Sequence, residues 1–323
     1  MYCPCLYGKQ NELIAVRETA PVMAAAKFVP VIMPVNRDMS GLRRCLKSVD
    51  HEDGRVVVVV NPERGALADD PAPVKGLLDG EFADTESILR GILLTGTTTR
   101  NDVVALCDSA GERPVAFVHA GFQEANALVA EHAALASVHM HVFMEKDCGE
   151  FYRKKFPVAE GVRRVLVRDG FRKRRNRDYP PVEFYSDLHA TYRNKENVNG
   201  FGDFLTVGDQ YSDSGGPAYA VAIHLTHIDP DMDDGMYVRH FVSDERDTPT
   251  NPGGKFGEAL AKLIGFLDSE AGGAVYETAA IGEFRELHER QHYPGLGYVK
   301  KLSMTHHIET LARYLNGNPP DAT

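Results

Sequence analysis

Several polar side chains in this sequence directly follow, or close, short apolar runs: Lys9, Gln10 and Glu12, then Asn36, Asn61, His119, Glu145, Asp169 and Asp203. Carboxylates and imidazoles set at the ends of apolar runs could exchange protons with a substrate, and a lysine among them could hold an anion. The candidate catalytic set is therefore Lys9, Glu12, His119, Asp169 and Asp203, with Gln10 and Asn61 as ligand contacts. The same residue types also cap helices, so position alone does not separate the two roles. The most charged segment, Arg163–Arg177, adds Arg172, Lys173, Arg174, Arg175 and Arg177, with Asn176 beside them. Guanidinium groups bind phosphate bidentately, so Arg172, Arg174, Arg175 and Asn176 are candidate contacts for a phosphate-bearing ligand. Carboxylates elsewhere on the surface could equally neutralise them.

Two histidines alternate at His139 and His141, and His119 closes the preceding apolar run. Alternate residues of a strand share a face. With Asp169 and Asp203 these side chains form a candidate ligand set for a divalent metal such as zinc or manganese, although no HExxH spacing or Cys/His cluster accompanies them. Asp213-Ser214-Gly215-Gly216-Pro217 imitates a protease nucleophile loop, but no matching His or Asp context precedes it, so it reads as a turn. The acidic run Asp229–Gly235 misses the calcium-loop pattern, because Gly235 falls one place late and His240 stands where the bidentate Glu belongs. Cys3, Cys5, Cys45, Cys107 and Cys148 are scattered and odd in number, which suits reduced thiols in the cytoplasm.

The elements that must position these groups alternate in type. Strands are expected at Tyr2–Tyr7, Phe28–Val35, Arg55–Asn61, Ile88–Thr95, Pro114–His119, Ser137–Met144, Arg163–Arg168 and Gly202–Val207. Helical spacing follows at Glu12–Thr19, Met39–Val49, Asp102–Ala110, Phe122–Leu135 and Val182–Tyr192. Continuously apolar strands separated by helices imply a parallel sheet covered on both faces. Eight such strands, with no Gly-rich dinucleotide turn after the first, favour a (β/α)8 TIM-barrel-like fold of the α/β class over an open doubly wound sheet. In that fold the strand ends listed above form one rim, and the Arg-rich loop falls at the usual phosphate corner. Tyr219–Thr226 and Met236–Ser243 read as a β-hairpin inserted after strand eight. A helix over Gly254–Asp268 then completes the barrel, followed by extra C-terminal helices at Glu283–His292 and Met304–Leu315 and a frayed tail, NGNPPDAT. The expected division is a barrel domain over 1–271, containing the hairpin over 218–243, and a helical extension over 272–323.

The opening YCPCLYGKQNEL, the stretch RDGFRKRRNRDYP and the later FGDFLTVGDQYSDSGGPAYAVAIHLTHID resemble the bacterial and phage "beta protein" family. The likeness is greatest to a bacterial branch that opens with an aromatic-Pro strand and Gly-Lys-Gln-x-Glu-Leu. It runs over nearly the whole chain, departing at Cys3 and Cys5, where relatives carry aromatic residues, and at Tyr7, where they more often carry a basic one. The resemblance implies a barrel-like α/β architecture. The family is essentially uncharacterised, and some members stand near mobile or phage-defence genes, which implies a link to phage defence.

The formal net charge of -10 excludes a general nucleic-acid coat protein, while leaving a local basic patch open. No apolar run is long enough to span a bilayer and the N-terminus lacks a secretory pattern, so a cytoplasmic protein without a membrane partner is expected. The residues favour an enzyme, a hydrolase or one of related phosphate-ester chemistry, acting on a phosphate-bearing small molecule or nucleotide. The alternative is a non-catalytic binding or regulatory protein that uses the barrel as a scaffold for a protein or nucleic acid partner.

Overall fold

The computed structural model describes residues 1–131, 135–213, 216 and 218–317. Ser214, Gly215 and Pro217 of the protease-like motif, three residues of the expected helix Phe122–Leu135 and most of the tail lie outside the described residues. The chain divides into two compact units. The first comprises Met1–Leu13, Lys27–Arg168 and Thr191–Asp203; the second comprises Ile14–Ala26, Asp169–Ala190 and Phe204–Thr323.

The first unit is built on an eight-stranded parallel sheet. Its strands, in chain order, are β1 (Cys5–Leu6), β2 (Val31–Ile32), β3 (Val56–Val59), β4 (Ile88–Thr95), β5 (Val115–Ala120), β6 (Val138–Met144), β7 (Arg163–Val167) and β9 (Gly200–Gly202). Each pairs with the next in that order. The run Val56–Val59 is buried throughout, as expected of a strand covered on both faces. The first two strands are shorter than expected because Pro4, Pro30 and Pro34 supply no N–H. Bonds from Val29 N to Tyr2 O, Val31 N to Pro4 O and Met33 N to Leu6 O nevertheless carry the pairing across 2.8–3.0 Å.

The sheet's two edges meet. Tyr2 bridges Phe201 in parallel, and Cys3 N and Cys5 N donate to Phe201 O and Asp203 O, each at 2.8 Å. The eight expected strands thus form a nearly closed α/β barrel of the (β/α)8 kind. Only the last is displaced, to Gly200–Gly202 instead of Gly202–Val207. Beyond Asp203 the chain turns: Leu205 has φ 50°, and Val207 N and Gly208 N both return to Phe204 O. Gly202 is required at the closure, since a Cβ there would stand 2.3 Å from Cys3 O and 3.1 Å from Val167 Cγ2. Gly202→Val should therefore cost about 2–3 kcal/mol of stability by overpacking, read as a lowered urea midpoint. An unchanged midpoint would show that the edges are not in close contact.

The second unit contains a three-stranded antiparallel sheet in the order β10 (Ala222–Asp229), β11 (Gly235–Val242), β8 (Val182–Ser186). The expected hairpin is present, with eight residue pairs from Ala222↔Val242 to Asp229↔Gly235. Its turn uses Asp233 and Asp234 at positive φ, and Asp229 Oδ1 accepts from Asp231 N at 3.0 Å, so these carboxylates shape a turn. The third strand corrects the helix expected over Val182–Tyr192. The alternating Val-Glu-Phe-Tyr-Ser segment pairs with Met236–Arg239, and helix survives only at Leu188–Thr191.

One face of this sheet is apolar. Ile223, Leu225 and Phe241 pack with Phe256, Leu260 and Leu263 of the helix Pro252–Leu267, Ile281 and Phe284 of Ala279–Glu289, and Leu302 of Leu296–Leu315. Asn251 and Thr278 cap the first two of these helices through bonds to Gly254 N and Ile281 N. The opposite face carries Glu183, His224 and His240.

Candidate functional site

In the first unit the expected rim residues occupy separate environments. Lys9 is half-buried where β1 ends, and Gln10 is exposed at the start of the helix Gln10–Glu18. Glu12 is buried, and its Oε2 accepts the Lys9 N–H at 3.4 Å, closing the first turn as a capping carboxylate does. Asn61 accepts from Leu93 N at 2.8 Å and donates to Leu93 O at 2.9 Å, extending the pairing of β3 with β4. Asp203 is buried and accepts the Tyr2 hydroxyl at 2.7 Å. Glu145 is held by Arg168 through two bonds of 2.5 and 3.1 Å, and Asn36 is exposed.

His119 is fully buried beneath the helix Glu150–Lys155. One of its nitrogens, Nδ1, meets the Tyr152 hydroxyl at 2.9 Å, and the other, Nε2, meets His141 Nδ1 at 3.0 Å. Its ring stacks on Phe143 at 4.4 Å and contacts Phe156 at 4.5 Å. This places the pair on the helix-covered face of the sheet. Burial first, then the nearby Arg164 charge, lowers the His141 pKa to about 3, and burial and His141 push His119 well down. His139 is exposed at the start of β6, bonded to Ser137 O. Among the described residues, no three His, Cys, Asp or Glu side chains converge as a metal-binding group.

The second unit gathers titratable groups more tightly. His224 and His240 are directly paired across β10 and β11, and Glu183 on β8 pairs with Val238, one diagonal step from His240. Glu183 Oε1 lies 3.2 Å from His240 Nε2, and His240 Nδ1 lies 2.8 Å from His224 Nδ1. Arg174 donates two bonds to Glu183, one of them 2.9 Å, and Arg172 stands 3.8 Å away. Tyr179 covers the pair, stacked on His240 at 4.5 Å and edge-on to His224 at 4.7 Å, and Phe171 approaches His224 at 5.0 Å.

Electrostatics fix the proton positions. Burial alone would raise the Glu183 carboxyl, but Arg174 and His240 hold it below the usual carboxylate range. Burial lowers His240 to about 4 against the opposing pull of Glu183, and it pushes His224 well below 6.5. With both rings neutral, His240 Nε2–H donates to Glu183, so its Nδ1 must accept from His224 Nδ1–H. His224 Nε2 is left with a free lone pair, and nothing among the described residues hydrogen-bonds it.

The basic loop surrounds this chain of contacts. Asp169 anchors it, its oxygens accepting Phe171 N and Asp209 N at 2.9 Å each. Arg175 pairs with Asp178, Lys173 donates to Gln210 O, and Asn176 donates to Ala220 O. Arg174 is committed to Glu183, whereas the side chains of Arg172 and Arg175 are 65% and 74% exposed. Glu183, His224 and His240 were not among the sequence candidates. The available signal was the polar alternation His224-Leu225-Thr226 on one hairpin strand, with His240 directly opposite His224 on the other.

Among the described residues, no helix is long and apolar enough to cross a membrane. No family model, curated protein or solved structure matches this chain.

Proposed function

We propose that the protein is an enzyme of phosphate-ester chemistry whose proton acceptor is His224, oriented through His240 by Glu183. The supporting observation is the buried chain Glu183–His240–His224, which leaves one imidazole nitrogen unprotonated and unbonded at neutral pH. Arg172, exposed at the edge of the same cluster, supplies the anion contact. In this reading His224 Nε2 takes the proton of an attacking water and returns it to the leaving oxygen. The Glu183 charge steadies the imidazolium that forms between the two transfers. Asp169 acts by holding the loop, and Arg174 by fixing Glu183. Membership of the beta protein family, and with it a link to phage defence, is proposed on the resemblance alone.

The test uses inorganic pyrophosphate and ATP as binding probes and p-nitrophenyl phosphate and bis(p-nitrophenyl) phosphate as substrates. Arg172→Gln should weaken probe binding roughly tenfold, as loss of one charge-assisted contact would. His224→Gln should abolish turnover with unchanged circular dichroism. Absence of both anion binding and hydrolysis in the unaltered protein would overturn the reading.

A further inference from the structure

Arg90, on β4 of the first unit, is 3% exposed, an unusual place for a guanidinium. Its Nη2 donates to Leu78 O at 2.8 Å, near the C-terminal end of the helix Ala72–Gly80, and lies 3.4 Å from Asp79 Oδ1. Its Nη1 is buried and, among the described residues, has no hydrogen-bond partner. Arg90 also lines a cavity of about 20 Å³, together with Val60, Lys75, Leu78, Asp79, Leu106, Ser109 and Ala110. That volume accommodates a single water-sized group, for which roughly 10–15 Å³ suffices.

The charge balance favours an anion over water. The one carboxylate in reach, Asp79, is also shared with Arg113, whose Nη1 stands 3.3 Å from the same oxygen. Lys75 lines the cavity too, and forms no ion pair among the described residues. Two guanidinium groups thus share one half-exposed carboxylate. A water would satisfy the Nη1 donor but add no negative charge where one carboxylate serves two guanidinium groups, which is the costlier deficit. The negative end of the helix Ala72–Gly80 offsets only part of it.

We propose that this cavity binds a monovalent monatomic anion, a halide of chloride or bromide size, between Arg90 Nη1, Lys75 and Ser109. The site is separate from the proton-relay reading and does not depend on it. Its size excludes sulfate and phosphate, so halide and oxyanion should act differently on stability.

The direct experiment is a crystal of the unaltered protein soaked in sodium bromide, with data collected at the bromine absorption edge. An anomalous peak within hydrogen-bonding distance of Arg90 Nη1 is expected, and a peakless water at that position would overturn the proposal. In solution, the change in Tm on replacing sulfate by chloride at matched ionic strength should be more positive, by several degrees, for the unaltered protein than for Arg90→Met, since sulfate stabilises both alike by exclusion from their surfaces. The same change in Tm for both proteins would also overturn the proposal.

Discussion

Lowering the pH from 7 to 5 should unfold the second unit before the first. Each buried histidine held neutral in the fold must take up a proton on unfolding once the pH drops below about 6.5. The native stability is therefore complete above that value and is lost on acidification, towards the depressed folded pKa. In the second unit four groups behave this way. His227 and His240 are lowered to about 4 and His306 to about 3, while His224 is well below its ordinary value; burial is the leading cause in each. The first unit has two, His119 and His141. At pH 5 each group removes about 2 kcal/mol, against a typical domain stability of about 5–15 kcal/mol. Hydrogen exchange followed by mass spectrometry across this range should show the strands Ala222–Asp229 and Gly235–Val242 losing protection first. Loss of protection in Val115–Ala120 and Val138–Met144 at the same or higher pH would contradict this order.

The second large effect is expected at Glu183. Glu183→Ala leaves Arg174 and His240 without the carboxylate they share, and should cost about 2–4 kcal/mol. The lower part of that range reflects Arg174, whose side chain is 31% exposed and keeps access to water. Glu183→Gln keeps the shape and an oxygen that can still accept from His240 Nε2, so a loss of about 1–2 kcal/mol is expected. Urea unfolding of the two variants provides the comparison. Equal losses would mean that the charge, which both variants lack, carries the whole effect and that the retained shape and acceptor oxygen contribute nothing.

The barrel was legible because its strands are apolar on both faces, and a run such as Val56–Val59 admits few other readings. The limits of β9 were not, because two glycines and a closing contact with Cys3 decide them, and neither has a periodic signature. Val182–Ser186 was misread because the following Leu188–Thr191 does form helix, and the partner that makes a strand of the earlier segment lies some fifty residues later. His119 and Asp203 were sensible candidates by position. Which side of a strand a polar group faces depends on a one-residue register, and His119 packs under the helix Glu150–Lys155 with Tyr152 and Phe156. The basic loop is plain in the sequence as a run of charge. Its division of labour was hidden, since the sequence does not reveal that Arg174 would be consumed by Glu183 while Arg172 stays exposed.

The relay is most directly tested by nitrogen-15 NMR of the histidine-labelled protein at pH 7, with the His224 signals assigned by His224→Gln. The account predicts a neutral His224 ring, protonated at Nδ1 and unprotonated at Nε2, with the Nε2 resonance shifting as inorganic pyrophosphate is added. A ring protonated at Nε2 in the free protein, or an Nε2 resonance indifferent to saturating pyrophosphate, would contradict it.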